Sequence, residues 1–175
     1  MYQNIYPNPI QLQNSINLIS ETINYMEKDL LIVDWINDKL PISQLQTLPL
    51  PNAQKVNEII EIFESIETNI IKNINLLKEI YYQLTGTYAQ IDQGYYFVPP
   101  RDLFIAIDYS IVRSTEYVKQ LELIMFGLPN FYYRDALFSI ISDELNYGTL
   151  FNYVYIKIIQ IQIEQNLNLP IPIQL

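Results

Sequence analysis

The stretch LFSIISDELNYGTLFNYV, Leu137 to Val154, decides the fold. Leu137, Ile140, Glu144, Tyr147, Phe151 and Val154 recur at alternating steps of three and four. That spacing gathers them on one face of an α-helix, the face that packs inward. Within this apolar stripe stand one carboxylate, Glu144, and one phenol, Tyr147. A carboxylate on the buried face of a helix must find donors or a cation, or else take up a proton.

The same period extends to the rest of the chain. Leu12, Ile16, Ile19, Ile23, Met26, Leu30 and Val33 predict a first helix over 10–37, ended by Pro41. A linker over 41–52 carries Pro49 and Pro51. Ile59, Phe63, Ile66, Ile70, Asn73, Leu77, Tyr81 and Leu84 predict a second helix over 53–84, with Gly86 as its stop. A long connection, 87–100, follows. Pro100 and Arg101 open a third helix that runs to Phe126. Gly127-Leu128-Pro129-Asn130 turns the chain into the fourth, from Phe131. Two helix pairs about one long crossover predict an all-α four-helix bundle. Glu58, Glu61, Glu64 and Glu67 spiral around the outer half of the second helix and read as a solvated face.

The C-terminal end departs from this period. In IQIQIEQNLNLPIPIQL, Ile159, Ile161, Ile163, Leu167, Leu169, Ile171, Ile173 and Leu175 alternate with other residues. A period of two predicts an extended, strand-like tail, restricted to edge pairing by Pro170 and Pro172. Such a tail pairs within its own subunit or with a neighbouring one by strand addition. The expected organisation is an N-terminal arm over 1–11, a bundle over 12–157 and a tail over 158–175.

Composition narrows the function. The 175 residues are 50% hydrophobic and 17% charged, with net charge −9. This suits one folded domain and argues against nucleic acid or an anionic membrane surface as partner. Without Cys or His, the chain has no disulfide, no zinc–thiolate site, no Ser-His-Asp triad and no imidazole metal ligand. No stretch reaches the ~18 apolar residues of a membrane span. The first ten residues lack a secretory pattern, so a cytoplasmic site of synthesis is expected.

Ile80-Tyr81-Tyr82-Gln83-Leu84-Thr85-Gly86, Tyr133-Arg134-Asp135-Ala136-Leu137-Phe138, Asp143-Glu144-Leu145-Asn146-Tyr147 and Asn152-Tyr153-Val154-Tyr155 stand at telling mutual distances. On these motifs the chain resembles ferritin-like, rubrerythrin-type bundles of spore-forming bacteria, over roughly residues 12–157. In that family Glu and Glu-x-x-His ligands hold a di-iron centre. The resemblance puts Met26, Ile70, Asn73, Ser110, Glu144 and Tyr147 at the ligand positions, so only Glu144 keeps a ligand. It therefore implies a lost metal site, with no cofactor, and Glu144 hydrogen-bonded by Tyr147, Asn73 or Ser110.

Apolar residues left outside the inner stripes, Ile60, Ile71 and Tyr82 on the second helix and Leu18, Tyr25, Ile32 and Trp35 on the first, suggest contact with further copies. The leading expectation is a structural protein that assembles with itself through these faces and through Leu167, Leu169, Ile171, Ile173 and Leu175. The resemblance places it in sporulation: a spore layer, filament or inclusion, with partner proteins of that setting. The alternative is a divergent di-metal oxidase or iron-binding protein using Glu27, Glu67, Asp108 and Glu144, or Asp29 and Asp143 in a shifted register.

Overall fold

The computed structural model describes residues 8–40, 50–92, 94 and 96–167. Four helices make up the described chain: α1, Pro9–Lys39; α2, Leu50–Thr85; α3, Leu103–Phe126; and α4, Phe131–Leu167. No strand occurs among the described residues.

Local chemistry sets the helix ends. Asn8 caps α1, its side chain accepting from the Ile10 N–H at 3.0 Å, and Pro9 occupies the first turn, where no N–H partner is needed. Asp102 caps α3 by accepting from the Ile105 N–H at 2.9 Å. The third helix therefore starts two residues later than Arg101, because Asp102 supplies the acceptor that Pro100 and Arg101 lack. Asn130 caps α4 through the Tyr133 N–H at 3.1 Å. Gly86 ends α2 in the left-handed region, at φ 71°, which a residue with a Cβ enters only at a cost.

α1 packs against α2 and α3, and α4 packs against α2 and α3, leaving α1/α4 and α2/α3 as the diagonals. Every adjacent pair is antiparallel. Glu27 meets Lys78 and Asn37 meets Glu67 between α1 and α2. Ser15 meets Ile124 and Asp29 meets Arg113 between α1 and α3. Phe63 meets Phe151 and Asn73 meets Asp143 between α2 and α4. The connection from Gly86 to Asp102 thus carries the chain from one end of the bundle to the other. Part of it is held on α1: Asn24 donates to the Gln90 carbonyl at 3.1 Å and accepts from the Asp92 N–H at 2.8 Å, and Lys28 pairs with Asp92 at 3.1 Å.

The core is the expected one. All six inward positions of the opening stretch of α4 are buried, as are Ile19, Ile23, Met26 and Val33 of α1 and Ile59, Phe63, Ile66, Ile70, Asn73 and Leu77 of α2. Each fully buried Ile, Leu or Phe contributes on the order of 1.5–3 kcal/mol from apolar area removed from water. At one end α1 and the turn into α4 approach closely: a Cβ on Gly127 would overlap Ser15 Oγ and lie 2.6 Å from the Gln11 carbonyl oxygen.

Three expectations change. α1 begins at Pro9, so residues 9–11 are helix and not an extended arm. α2 begins at Leu50, inside the expected linker. The extended reading of 158–175 fails over 158–167, where α4 continues. Ile158 and Ile161 are buried there, and Lys55 of α2 pairs with Glu164 at 2.6 Å. Packing against α2 overrides the two-residue alternation, since Ile158 and Ile161 stand three apart on one helical face. Leu167 is the last described residue, and Leu169, Ile171, Ile173 and Leu175 lie outside the described residues.

Candidate functional site

α1, α2, α3 and α4 converge on a cavity of about 30 Å³ at mid-bundle. Met26, Ile70, Ser110, Glu144 and Tyr147 all line it. The sixth expected position, Asn73, adjoins them through its hydrogen bond to the Tyr147 hydroxyl at 3.5 Å. Positions up to 121 residues apart in sequence are therefore brought to one place, and Asp29, Val33, Arg113, Ser114, Tyr117 and Phe151 complete the wall.

Two acidic side chains here have opposite environments. Asp29 accepts from Tyr109 at 3.1 Å, from Arg113 Nε at 2.9 Å and from Tyr117 at 2.5 Å. Arg113 also donates to Glu116 and to the Tyr117 hydroxyl, and its guanidinium lies over the rings of Tyr117 and Tyr25 at 4.7 and 5.1 Å. This is a largely buried ion pair in which each guanidinium nitrogen has an acceptor, and the tyrosine faces add cation–π attraction. Burial, reinforced by Asp29, raises the Tyr117 phenol above its ordinary range, so it stays a donor.

Glu144 has no such partners. It is 3% exposed, and no hydrogen bond to its carboxyl occurs among the described residues. Two of the three donors expected for it are engaged elsewhere: Asn73 donates to Asp143 at 3.1 Å and to Tyr147, and Ser110 donates to the Ala106 carbonyl at 3.0 Å. The Tyr147 hydroxyl accepts from Asn73 and makes no hydrogen bond to Glu144. Burial, then the negative charges of Asp29 and Asp143, push the Glu144 carboxyl up to about 8. Burial thus favours the uncharged form of this carboxyl near neutral pH. The cavity has room for a water, which needs roughly 10–15 Å³ and polar neighbours.

Glu144, Asp29 and Asp143 do not form a metal-ligand set. Among the described residues no three Asp or Glu side chains group so as to hold an ion. Met26 and Ile70 offer nothing to a hard cation, and Arg113 brings a positive charge to the wall. The alternative carboxylates also scatter: Glu27 pairs with Lys78 at 2.5 Å, Glu67 accepts from Asn37 at 3.1 Å, and Asp108 is exposed. The donor set therefore does not fit a di-iron centre. Ser114, like Ser110, donates to a carbonyl of its own helix, at 2.9 Å, so neither hydroxyl has a base to activate it.

The expected assembly positions divide. Ile71 is exposed; Ile60 is half-buried against the core; Tyr82 stacks on Tyr88 of the crossover at 4.9 Å. On α1, Ile32 is buried, Leu18 and Trp35 are half-buried, and Tyr25 covers Arg113. Further exposed apolar residues lie on α3 and α4, where Leu123, Phe126, Phe131, Phe138 and Leu145 are each at least 60% exposed, as are Ile10 of α1 and Tyr88, Tyr96 and Val98 of the crossover. Those of α3 and α4 occupy positions that the inner stripes of those helices leave over.

No protein-family model, no curated protein and no solved structure matches the chain. No described helix is long and apolar enough to cross a membrane.

Proposed function

We propose that this chain is a non-catalytic structural protein. It is a ferritin-like bundle whose metal site has been replaced by core packing, and it assembles with copies of itself. The observation that carries the reading is the composition of the mid-bundle cavity. The positions where such a bundle keeps its ligands hold Met26, Ile70, Asn73, Ser110 and Tyr147, and the surviving carboxyl, Glu144, is buried without a hydrogen-bond donor. Exchanging buried charges for apolar and hydrogen-bonding groups lets a bundle stand without metal. The connectivity supports the ferritin-like reading, since one end-to-end crossover between two antiparallel pairs is the arrangement of that class. Assembly is supported by the exposed apolar surface of α3 and α4. The sporulation setting, as a spore layer, filament or inclusion, rests on the motif resemblance alone.

The test is light scattering and negative-stain microscopy of the purified full chain, with iron and manganese content read on the same sample. Ordered particles or filaments without stoichiometric metal are the expected result. A small species carrying about two metal ions per chain, the count of a di-iron bundle, overturns the proposal in favour of a di-metal enzyme. Truncation after Leu167 then asks whether the apolar residues beyond α4 take part: loss of particles with retained helicity is expected.

A further inference from the structure

The exposed face of α3 carries a pattern that reads the same in both directions. Tyr109, Val112, Glu116, Lys119, Leu123 and Phe126 follow one another at steps of three, four, three, four and three. In residue class they run aromatic, aliphatic, acid, base, aliphatic, aromatic. The step pattern is that of a helix–helix seam. Yet this is not the seam that α3 uses inside its own bundle, which runs through Ile107, Leu121 and Ile124. The four apolar members are 42, 52, 62 and 72% exposed in chain order.

We propose that this face docks α3 of a second copy, antiparallel, about a two-fold axis between Glu116 and Lys119. An isologous contact sets one patch against itself, so the patch must be its own complement under reversal. Here reversal places Tyr109 on Phe126, Val112 on Leu123 and Glu116 on Lys119. Two equivalent ion pairs form at the centre, flanked by apolar contacts on both sides. Lys119 has no ion-pair partner among the described residues, and Glu116, though paired with Arg113 of its own helix, is half-exposed. Charge favours a copy on this face over the others. A chain of net charge −9 repels itself, most of all across the exposed Glu58, Glu61 and Glu64 of α2. The α3 stripe has one acid and one base, and the exposed Asp108 and Glu122 each lie one position off it.

This seam is one contact of the assembly proposed above and rests on that reading, but its test separates the two. Particle size of the full chain is compared with Glu116→Lys, Lys119→Glu and the double swap, with circular dichroism as the check on folding. Each single swap faces like charges across the axis and reduces the assembly to a smaller species; the double swap, which restores complementarity, recovers the wild-type size. The chain has no cysteine, so Val112→Cys/Leu123→Cys gives an independent register check. It cross-links into covalent dimers on oxidation. Either single variant does not, because equivalent sulfurs of an antiparallel pair stand roughly 16 Å apart, well beyond disulfide reach. A wild-type chain that stops at a dimer and responds to the swaps supports the seam while overturning polymerisation. An assembled wild type that ignores the swaps and does not cross-link overturns the seam alone. A wild-type monomer at all concentrations overturns both.

Discussion

Asp29 and Glu144 are two carboxyl groups on the wall of one cavity, and the protein treats them in opposite ways. Asp29 receives two phenols and a guanidinium; Glu144 receives none. The two carboxyls differ in their donors, and those of Asp29 all come from α3 to α1, across the one interface where Tyr109, Arg113 and Tyr117 share a helix face. Glu144, on α4, faces the same cavity but accepts from none of these donors, and burial pushes its carboxyl up.

The strongest way to break this contrast is Arg113→Ala. It leaves Asp29 desolvated beside two tyrosines and removes the guanidinium packed on Tyr25 and Tyr117. An expected loss of about 3 kcal/mol in urea unfolding follows from removing one partner of a buried pair. Asp29→Asn in that background should recover part of it by removing the orphaned charge. Full retention of stability in Arg113→Ala would mean the cluster contributes nothing.

Next is the pH dependence set by Glu144. Its folded-state value, about 8, lies above the ordinary 4.5 of the unfolded chain. The folded protein therefore binds the proton more tightly than the unfolded one. This group's contribution falls as pH rises from about 4.5, and the loss is complete once pH passes about 8. Glu144→Gln removes that slope and is expected to be the more stable protein at pH 8, by a few kcal/mol. Parallel stability curves for the two proteins between pH 5 and 8 would show that Glu144 finds a partner in solution.

A smaller effect is expected for Asn73→Ala. It deprives Asp143 and Tyr147 of their shared donor and costs about 1 kcal/mol in thermal or urea unfolding. Asn73 sharpens the comparison, because its amide goes to half-exposed Asp143 and not to Glu144, the more deeply buried acid.

Much of the bundle is legible in the sequence because helical period is a local property. Each inner stripe of α1, α2 and α4 can be read from a single segment, and their middles are buried in the structure. The convergence of Met26, Ile70, Ser110, Glu144 and Tyr147 was also reachable, through the motif resemblance. The Asp29–Arg113–Tyr117 cluster was not, for it joins residues more than 80 positions apart. A local hint existed: Arg113 stands four residues from Tyr109 and from Tyr117, on one helix face. The end of α4 misled for the opposite reason. Its alternation of Ile and Gln is a genuine strand signal, but α2 runs alongside and its Lys55 pairs with Glu164 of the helix. Tertiary partners decide such segments.

The crossover has a consequence for how the chain reaches this state. α3 and α4 meet across a turn that closes at Gly127–Asn130, so their contacts are local in sequence. The pairing of α2 with α4 joins residues such as Lys55 and Glu164, 109 positions apart. Loop-closure entropy makes local hairpins cheaper to form than their mutual docking. The α3–α4 and α1–α2 hairpins are therefore expected to gain hydrogen-exchange protection during refolding before the two pairs dock, the α3–α4 hairpin with its shorter turn first. If both pairs gain protection only together, loop closure does not govern the route.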